Sequence, residues 1–404
     1  MIFCDILKVR ITNNSGGETV KILFKGAHVF PISKKPFTGD VLVENGKIRQ
    51  IGEKIKPGKG TEIFDVSGKY LFPGFIDAHC HIGLYPEGLG ATESEGNEMT
   101  DPVTAHLQAL DAFYPDDVAI SKALSGGVTT VFVVMGSANP VGGQGFIAKF
   151  NGKTAAEMCI KNPAGVKMAF GENPKRVYSE KKIMPNTRMG TASVIRSFLM
   201  KSQDYMKKKE SILKEGKEFT ERDPKYEVGE KLLKRELPAR MHAHRADDIL
   251  TAIRIAEEFN LSFVIEHCTE GYKIADILAS KKVPVVAGPL LTFATKLELR
   301  DMTMGALKIL SEKGVLTALM CDHPVIPLEH ATVQAAAAMR YGVKEEELLK
   351  MLTINPATIL GLSEKVGSLE PGKDADIVIW SGHPFDMKSV VEKVFIEGNM
   401  VYSK

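Results

Sequence analysis

Short apolar runs alternate with helical stretches through the middle of the chain, and this alternation limits the fold more than any other feature. Seven runs are clear: LFPGFIDAH, VTTVFVVM, GVKMAF, PARMHAH, LSFVIEH, VPVVAG and GVLTALMCD. Strands that alternate with helices predict parallel βαβ units. GFIAKF, at residues 145–150, makes an eighth run, although no good helical stretch joins it to VTTVFVVM. Eight such units predict an α/β fold of the (β/α)8 barrel type, which typically takes about 250 residues plus insertions.

The two ends of the chain have a different texture from the middle. Near the start, LFKGAHVF, GDVLVENGKIRQIG and TEIFDVSGKY are rich in Val and Ile and are punctuated by Gly. Near the end, VGSLEPGKDADIVIW and SVVEKVFIEGNMVYS have the same character. Short strands separated by turns are typical of a β domain. Because such segments flank the alternating middle, we expect the two ends to pair into one small β domain.

Charge and hydropathy exclude several classes of partner. Of the 404 residues, 52 are basic and 50 acidic, and a formal charge of +2 is no electrostatic footprint for nucleic acid or an anionic membrane. No apolar run approaches the roughly 20 residues that cross a bilayer, and the first residues lack the pattern of a signal peptide. Five cysteines, an odd count in a long chain, indicate free thiols in a reducing compartment. We therefore expect a cytoplasmic protein.

Imidazole and carboxylate side chains follow or end several of the predicted strands. They are His79, His81, His242, His244, His267 and Asp322. If residues 70–78 form one strand, the first two histidines share a face. In a parallel barrel these strand ends meet at the face where barrel enzymes have their active sites, whereas an open doubly wound sheet would gather its chemistry at one switch point. Both kinds of side chain bind zinc and similar divalent ions.

Three cysteines adjoin these residues in the sequence: Cys80, Cys268 and Cys321. Each is one step out of phase with its histidine or aspartate neighbour, so strand parity points it to the opposite face. We interpret the three thiols as small apolar groups that pack on the outer side of a sheet, and not as metal ligands.

The chain resembles the amidohydrolase superfamily, in the branch that contains imidazolonepropionases and dipeptidases. The resemblance rests on PGFIDAHCH, GGVTTV, HAHRADD, VIEH, CDHP and GSLEPGKDADIVIW, and it covers almost the whole chain from Val20 onward. It implies a metal-dependent hydrolase with a barrel at residues 73–359 and a β-sandwich made of residues 20–72 and 360–404. Residues 1–19 precede the usual start of the family and are expected to be a leader or the product of a mis-assigned start codon.

The resemblance also implies a role for five of the strand-end residues. His79 and His81 look like the first pair of metal ligands, with His242 and His267 as ligands from the fifth and sixth strands. Asp322 looks like the aspartate that binds metal and acts as the general base. The chemistry agrees, because a metal lowers the pKa of its water and a nearby carboxylate can take the remaining proton.

Other positions leave alternatives open. The ligand from the fourth strand is either Glu172, which we favour because it lies at the strand's carboxyl end, or a carboxylated Lys167, and with neither the site would be mononuclear. His244 is expected to contact the substrate or to support a ligand by a hydrogen bond. Arg176 and Arg188 are candidate substrate contacts, since arginine binds carboxylates well.

These features predict a hydrolase that uses one or two Zn²⁺ ions, with Mn²⁺ or Fe²⁺ as substitutes, to cleave a C–N bond of a small molecule. The bond belongs to a cyclic or linear amide, with water as the nucleophile. Two alternatives are a deaminase of an amidine-type ring and a non-catalytic relative that serves as a scaffold. The predicted partner is a small-molecule substrate, with no nucleic acid and no membrane. Self-association is allowed, because relatives commonly associate.

Overall fold

Two sheets of eight strands each form the β structure of the protein, as described by a computed structural model for residues 20–404. One sheet begins with β1 (Lys21–Val29), β2 (Phe37–Glu44), β3 (Lys47–Gly52), β4 (Thr61–Asp65) and β5 (Tyr70–Pro73). The other sheet consists of β6 (Phe75–Cys80), β7 (Val128–Val133), β8 (Val141–Lys149), β9 (Cys159–Ala169), β10 (Ala239–Ala243), β11 (Phe263–His267), β12 (Val285–Ala287) and β13 (Thr317–Leu319). The first sheet is completed by β14 (Ile377–Trp380), β15 (Val391–Ile396) and β16 (Asn399–Ser403).

The first sheet is built from both ends of the chain, as the sequence predicts. Its strand order is β16-β15-β14-β5-β1-β2-β3, with β4 paired to β1, and the two ends meet where β14 runs antiparallel to β5. The hairpin turns Asn45-Gly46 and Glu397-Gly398 have positive φ at both residues, as type I′ turns require. The predicted domain boundaries remain predictions, and the predicted leader at residues 1–19 lies outside the described residues.

The second sheet curls into a nearly closed barrel in the order β6 to β13. Two hydrogen bonds connect the region of the first strand to the segment after the last strand. The backbone N–H of Cys321 donates to Asp77 Oδ2 at 2.7 Å, and the backbone N–H of His81 donates to the His323 carbonyl at 2.9 Å. Every pairing within the barrel is parallel except the two that involve β8. The predicted α/β barrel fold is therefore confirmed.

Two predicted strands differ from the observed ones. The sequence predicts a parallel strand at residues 145–150, but β8 begins earlier and is antiparallel to both β7 and β9. A short loop joins β7 to β8, which suffices for an antiparallel pair and not for a parallel one. Residues 70–78 are also not one strand, because Gly74 separates β5 from β6. A Cβ at Gly74 would lie 2.1 Å from the hydroxyl oxygen of Thr129, so the two sheets approach each other closely there.

Helices cover the outside of the barrel. They are α1 (Ala109–Ala112), α2 (Val118–Ser125), α3 (Ala155–Met158), α4 (Glu172–Glu180), α5 (Arg188–Lys214), α6 (Pro224–Leu233), α7 (Ala246–Glu258), α8 (Ala275–Ser280), α9 (Gly305–Glu312), α10 (Ala331–Met339), α11 (Glu345–Met351) and α12 (Ile354–Ile359). Helix α7 shows why they form, since Ile249, Ala252, Ile253 and Ala256 recur at helical spacing and are buried. Across residues 20–404, none of the helices is both long and apolar enough to span a bilayer.

The barrel has an inner and an outer core. Inside, side chains such as Phe132 and Val286 fill the space between the strands, and a larger outer cluster packs the strands against the helices. Cys80, Cys268 and Cys321 are buried in the outer cluster. The prediction that these thiols pack outside the sheet is confirmed.

Candidate metal centre

The ends of the first and last barrel strands bring together His79, His81 and Asp322. His79 lies within β6 and His81 directly after it, while Asp322 follows β13 with a φ of 53°. This left-handed backbone conformation is uncommon for a residue other than glycine. In this conformation the carboxylate of Asp322 faces the two histidines. Asp322 Oδ1 lies 3.2 Å from Nε2 of each histidine. Together the three side chains form a group with the spacing of metal ligands.

A second group consists of His242, His244 and His267. His242 lies in β10, His244 directly follows β10, and His267 is the last residue of β11. All three are buried, and their ring centroids lie 4.3–4.6 Å apart. The His79 ring lies 5.3 Å from the His267 ring, so the two groups adjoin. The structure therefore brings all six strand-end residues of the sequence prediction to one face of the barrel.

The histidines are oriented by hydrogen bonds at Nδ1. The four pairs are His81 with the Val134 carbonyl at 2.6 Å, His242 with Ser137 Oγ at 2.9 Å, His244 with Thr269 Oγ1 at 2.7 Å, and His267 with the Gly288 carbonyl at 3.0 Å. A carbonyl only accepts, so Nδ1 of His81 and of His267 carries the hydrogen. Nε2 of those two rings is then a lone pair when the ring is neutral, which is the form that binds a metal.

Burial keeps the second group neutral. It lowers the pKa of His267 to about 3, and it lowers the pKa values of His242 and His244 well below their ordinary range, with further lowering from neighbouring histidines. Nε2 of His242 and of His244, together with Asp322 Oδ1, are buried without a hydrogen-bond partner. Unpaired buried polar atoms are costly. Lone pairs and a carboxylate oxygen that converge in this way fit a divalent cation.

Asp322 is held ionised. Burial raises the pKa of its carboxyl group, but the nearby rings of His267, His79 and His81 together lower it further, so that it lies well below the ordinary value. The pKa of His79 is raised, because the effects of Glu266 and Asp322 outweigh burial. The first group thus combines the ionised carboxylate of Asp322 with the imidazole of His79. A bound cation would take the place of the proton on His79.

Sequence reasoning missed Glu266 and Arg240, which lie inside the barrel beneath the first group. Glu266 is fully buried, and its carboxylate lies 2.7 Å from Arg240 Nε, 3.0 Å from Lys167 Nζ and 2.8 Å from His79 Nδ1. Burial raises the pKa of Glu266, but His79, Lys167 and Arg240 together hold it well below the ordinary value. A charged residue within an otherwise apolar strand was the available signal, since such residues are buried only when they are paired.

The remaining predicted residues are not members of either group. Glu172 is the first residue of α4, where its backbone N–H donates to Glu298. Arg188 pairs through Nε with Asp248 at 3.0 Å, and Arg176 is exposed on α4. Lys167, by contrast, has Nζ 3.4 Å from His79 Nε2. The roles assigned to Glu172, Arg176 and Arg188 stay predictions, as does the choice of a ligand from the fourth barrel strand.

Comparison with known proteins agrees with the fold. A family model described as the amidohydrolase family matches residues 70–401. The amidohydrolase tasK of Hapsidospora irregularis is 29% identical over 89% of this chain, which spans 39% of that protein. An imidazolonepropionase of Thermoplasma volcanium is 24% identical over 95% of this chain and 98% of its own length. Among solved structures, an amidohydrolase from Thermotoga maritima is 66% identical, with a TM-score of 0.94 over 95% of this chain and all of that one.

Proposed function

The chain belongs to the amidohydrolase family, and on this premise we propose that it is a metal-dependent hydrolase that cleaves a C–N bond in a cyclic or linear amide of a small molecule. The observation that supports this best is the convergence of unpartnered Nε2 atoms and Asp322 Oδ1 at the strand ends. Imidazolonepropionase is the name of a relative similar over nearly its whole length. An imidazolone-type ring is therefore one substrate class to test.

The proposed ligands fall into the two groups already described. His79, His81 and Asp322 would hold one ion, and His242 and His267 would hold a second, for which zinc, manganese or iron has suitable ligand preferences. A bound divalent cation supplies Lewis-acid polarisation of the scissile carbonyl and activation of water. A bridge between two ions would come from Glu172 or from a carboxylated Lys167, and the site would be mononuclear without one.

Asp322 is the proposed general base. Its carboxylate is ionised at neutral pH and takes a proton from the attacking water as the new C–O bond forms. The same group then returns the proton to the leaving nitrogen when the C–N bond breaks. Burial lowers the pKa values of His242 and His267 and makes them weak bases at neutral pH, which leaves Asp322 as the proposed proton carrier of the site.

Substrate contacts are proposed for His244, Arg176 and Arg188. His244 has an unpartnered buried Nε2 beside the second group, so it can hydrogen-bond to a bound substrate. The two arginines lie on α4 and α5, the helices that follow the fourth barrel strand, β9, in the chain. There they would contact an acidic substrate group.

A cytoplasmic location and a small-molecule partner belong to the same proposal. Cys80, Cys159, Cys268 and Cys321 are free thiols, which suits a reducing compartment. Nucleic acid and membrane surfaces are not proposed as partners, because the charge is close to balanced. Self-association remains a proposal that gel filtration can test.

The test of the function compares Asp322→Asn with the unaltered protein on imidazolonepropionate, N-acetyl amino acids and adenine. Turnover of an amide is expected, and Asp322→Asn is expected to lower it by about 10²–10⁴-fold, the contribution of a positioned base. Asp276→Asn is the matched control, since Asp276 is 81% exposed and pairs with Lys313 at the surface. Ammonia released from adenine would favour the deaminase alternative. Absence of any turnover, with bound metal, would contradict the hydrolase and favour a scaffold.

A further inference from the structure

Tyr85 lies four residues after His81, in the loop that follows β6 at the metal-centre face of the barrel. Its ring packs edge-on against the His81 ring, with centroids 5.8 Å apart and an interplanar angle of 77°. The side chain is half-buried, so one part contacts protein and another part remains accessible. A tyrosine at this position is a candidate for contact with whatever binds beside His81.

The hydroxyl oxygen of Tyr85 accepts a hydrogen bond. Asn97 Nδ2 donates to it at 2.6 Å, while Asn97 Oδ1 accepts from the backbone N–H of Ala138 at 3.1 Å. The second bond fixes the orientation of the amide, since only the oxygen end can accept from an N–H. The phenolic hydrogen then has no acceptor among residues 20–404, and the group is left as a donor.

The surrounding loops hold this tyrosine in place. A Cβ at Gly96 would lie 2.1 Å from Tyr85 Cζ and 2.3 Å from its hydroxyl oxygen, and a Cβ at Gly136 would lie 2.4 Å from Asn97 Nδ2. The backbone N–H of Gly136 donates to the Gly96 carbonyl at 2.8 Å, which joins the loop after β6 to the loop after β7. Both glycines are needed because any side chain would displace Tyr85 or its partner.

The loop after β7 connects the tyrosine to the second histidine group. Ser137, next to Gly136, is bonded to His242 Nδ1 at 2.9 Å, and Ala138 holds Asn97. One short segment therefore positions His242 and, through Asn97, the hydroxyl of Tyr85. The Tyr85 ring contacts His81 of the first group, and the loop after β7 connects Tyr85 to His242 of the second group.

We propose that Tyr85 is a catalytic residue whose hydroxyl group donates a hydrogen bond to the substrate oxygen on which negative charge develops as the C–N bond is hydrolysed. This role rests on the proposed hydrolase function. A neutral phenol, with an ordinary pKa of about 10, is a hydrogen-bond donor at neutral pH. A donor fixed in advance by Asn97 stabilises the charge without reorganisation during the reaction.

The experiment compares Tyr85→Phe with the unaltered protein, both loaded with zinc. On the amide found by the substrate panel, Tyr85→Phe is expected to lower kcat about 10- to 1000-fold, with KM changed less than threefold, as for the loss of one oxyanion donor. Methylphosphonate, a tetrahedral oxyanion, is the binding probe, and calorimetry should show its Kd raised about tenfold or more. Zinc content is expected to stay unchanged.

Gly96→Ala is the second variant, because it moves the ring while the phenol remains. It is expected to reproduce the loss, and the double variant is expected to be no worse than either alone. Tyr205→Phe and Gly52→Ala are the matched controls. Tyr205 bonds to Glu227 on the outer helices and Gly52 has open space around it, so both controls should retain full activity.

Three results would overturn the proposal: kcat within twofold of normal in Tyr85→Phe, an unchanged Kd for methylphosphonate, or no binding of the probe by the unaltered zinc-loaded protein. Asp322→Asn separates the two claims. If it abolishes turnover while Tyr85→Phe does not, the hydrolase stands and the role of Tyr85 is wrong. If Asp322→Asn retains full turnover, the proposed function itself fails.

Discussion

Replacing Glu266 with glutamine is expected to lower the free energy of unfolding by about 3–5 kcal/mol, the range for removing one partner of a buried ion pair. Glu266 has no exposed surface and serves two buried cations, with Arg240 Nε at 2.7 Å and Lys167 Nζ at 3.0 Å. Glutamine preserves the shape of the side chain but leaves both positive charges uncompensated in the barrel interior. Arg240 Nε and Lys167 Nζ bond to different oxygens of the carboxylate. The single amide oxygen of glutamine can accept only one of these bonds, so it recovers only part of the loss.

The assay is urea unfolding of the protein in the presence of chelator, so that metal binding does not enter the comparison. Glu258→Gln is the control, because its pair with Arg196 lies at the surface with both side chains partly exposed, and such pairs contribute about 0–1 kcal/mol. Adding Lys167→Met to Glu266→Gln is expected to restore part of the stability, since it removes one uncompensated charge. A loss below about 1 kcal/mol in Glu266→Gln would show that the buried cations do not depend on the carboxylate, and strictly additive effects in the double variant would show that Glu266 and Lys167 are not coupled.

Glu266 also makes stability depend on pH. Although burial raises the pKa of its carboxyl group, His79, Lys167 and Arg240 hold it well below the ordinary value. A depressed pKa in the folded state gives stability that is present above the unfolded value of about 4.3 and is lost as the pH falls through the folded value. Glu266→Gln is therefore expected to flatten the acid side of the stability profile.

Two further substitutions test other contacts. Lys149→Met is expected to cost about 3–5 kcal/mol in urea unfolding, because Lys149 is 4% exposed and joins β8 to the other sheet through Asp374 at 2.6 Å and Asp376 at 3.1 Å; a cost below 1 kcal/mol would contradict this. Ser137→Ala is expected to weaken zinc binding about 10- to 100-fold in a competition titration, since the serine orients His242; unchanged affinity would contradict it.

Each of these variants has a matched control on the surface. Lys208→Met removes a lysine that is 52% exposed and is expected to cost less than about 1 kcal/mol. Ser125→Ala removes an exposed hydroxyl that bonds to the Lys122 carbonyl near the end of α2 and should leave zinc affinity unchanged.

The barrel could be predicted from the sequence because its strands and helices leave local periodic patterns. Strand direction leaves no such mark, and for this reason the antiparallel course of β8 could not be read from residues 145–150. The break at Gly74 has a similar cause. It depends on the close approach of Thr129, which is 55 residues away in the chain and comes close only through folding.

The site was predictable where metal-binding side chains follow or end the predicted strands. His79, His81, His242 and Asp322 were expected at one face of the barrel, and the structure places them in two adjoining groups there. Parity assigns Glu266 and His267 to opposite faces, yet Glu266 lies beside His79 while His267 joins the second group. The backbone of His267 has a φ of 67°, so alternation stops at the end of β11 and two successive residues can serve one centre.

Tyr85 illustrates a second limit. Its loop has no regular period, and its position depends on Asn97 and on two glycines that leave room for the ring. Such contacts join segments that are distant in sequence, and composition does not reveal them. Lys167 was recognised as an alternative ligand, but its pairing with Glu266 depends on the arrangement of two barrel strands.

Metal analysis of the purified protein tests directly whether the histidines and Asp322 at the strand ends bind a metal ion. The protein would be prepared without chelator, then reconstituted with zinc, manganese or iron, and metal per chain would be counted for the unaltered protein and for His79→Ala/His81→Ala. One or two ions per chain are expected, with at least one lost in the double variant. Absence of bound metal under every condition, or an unchanged count in the double variant, would contradict this expectation.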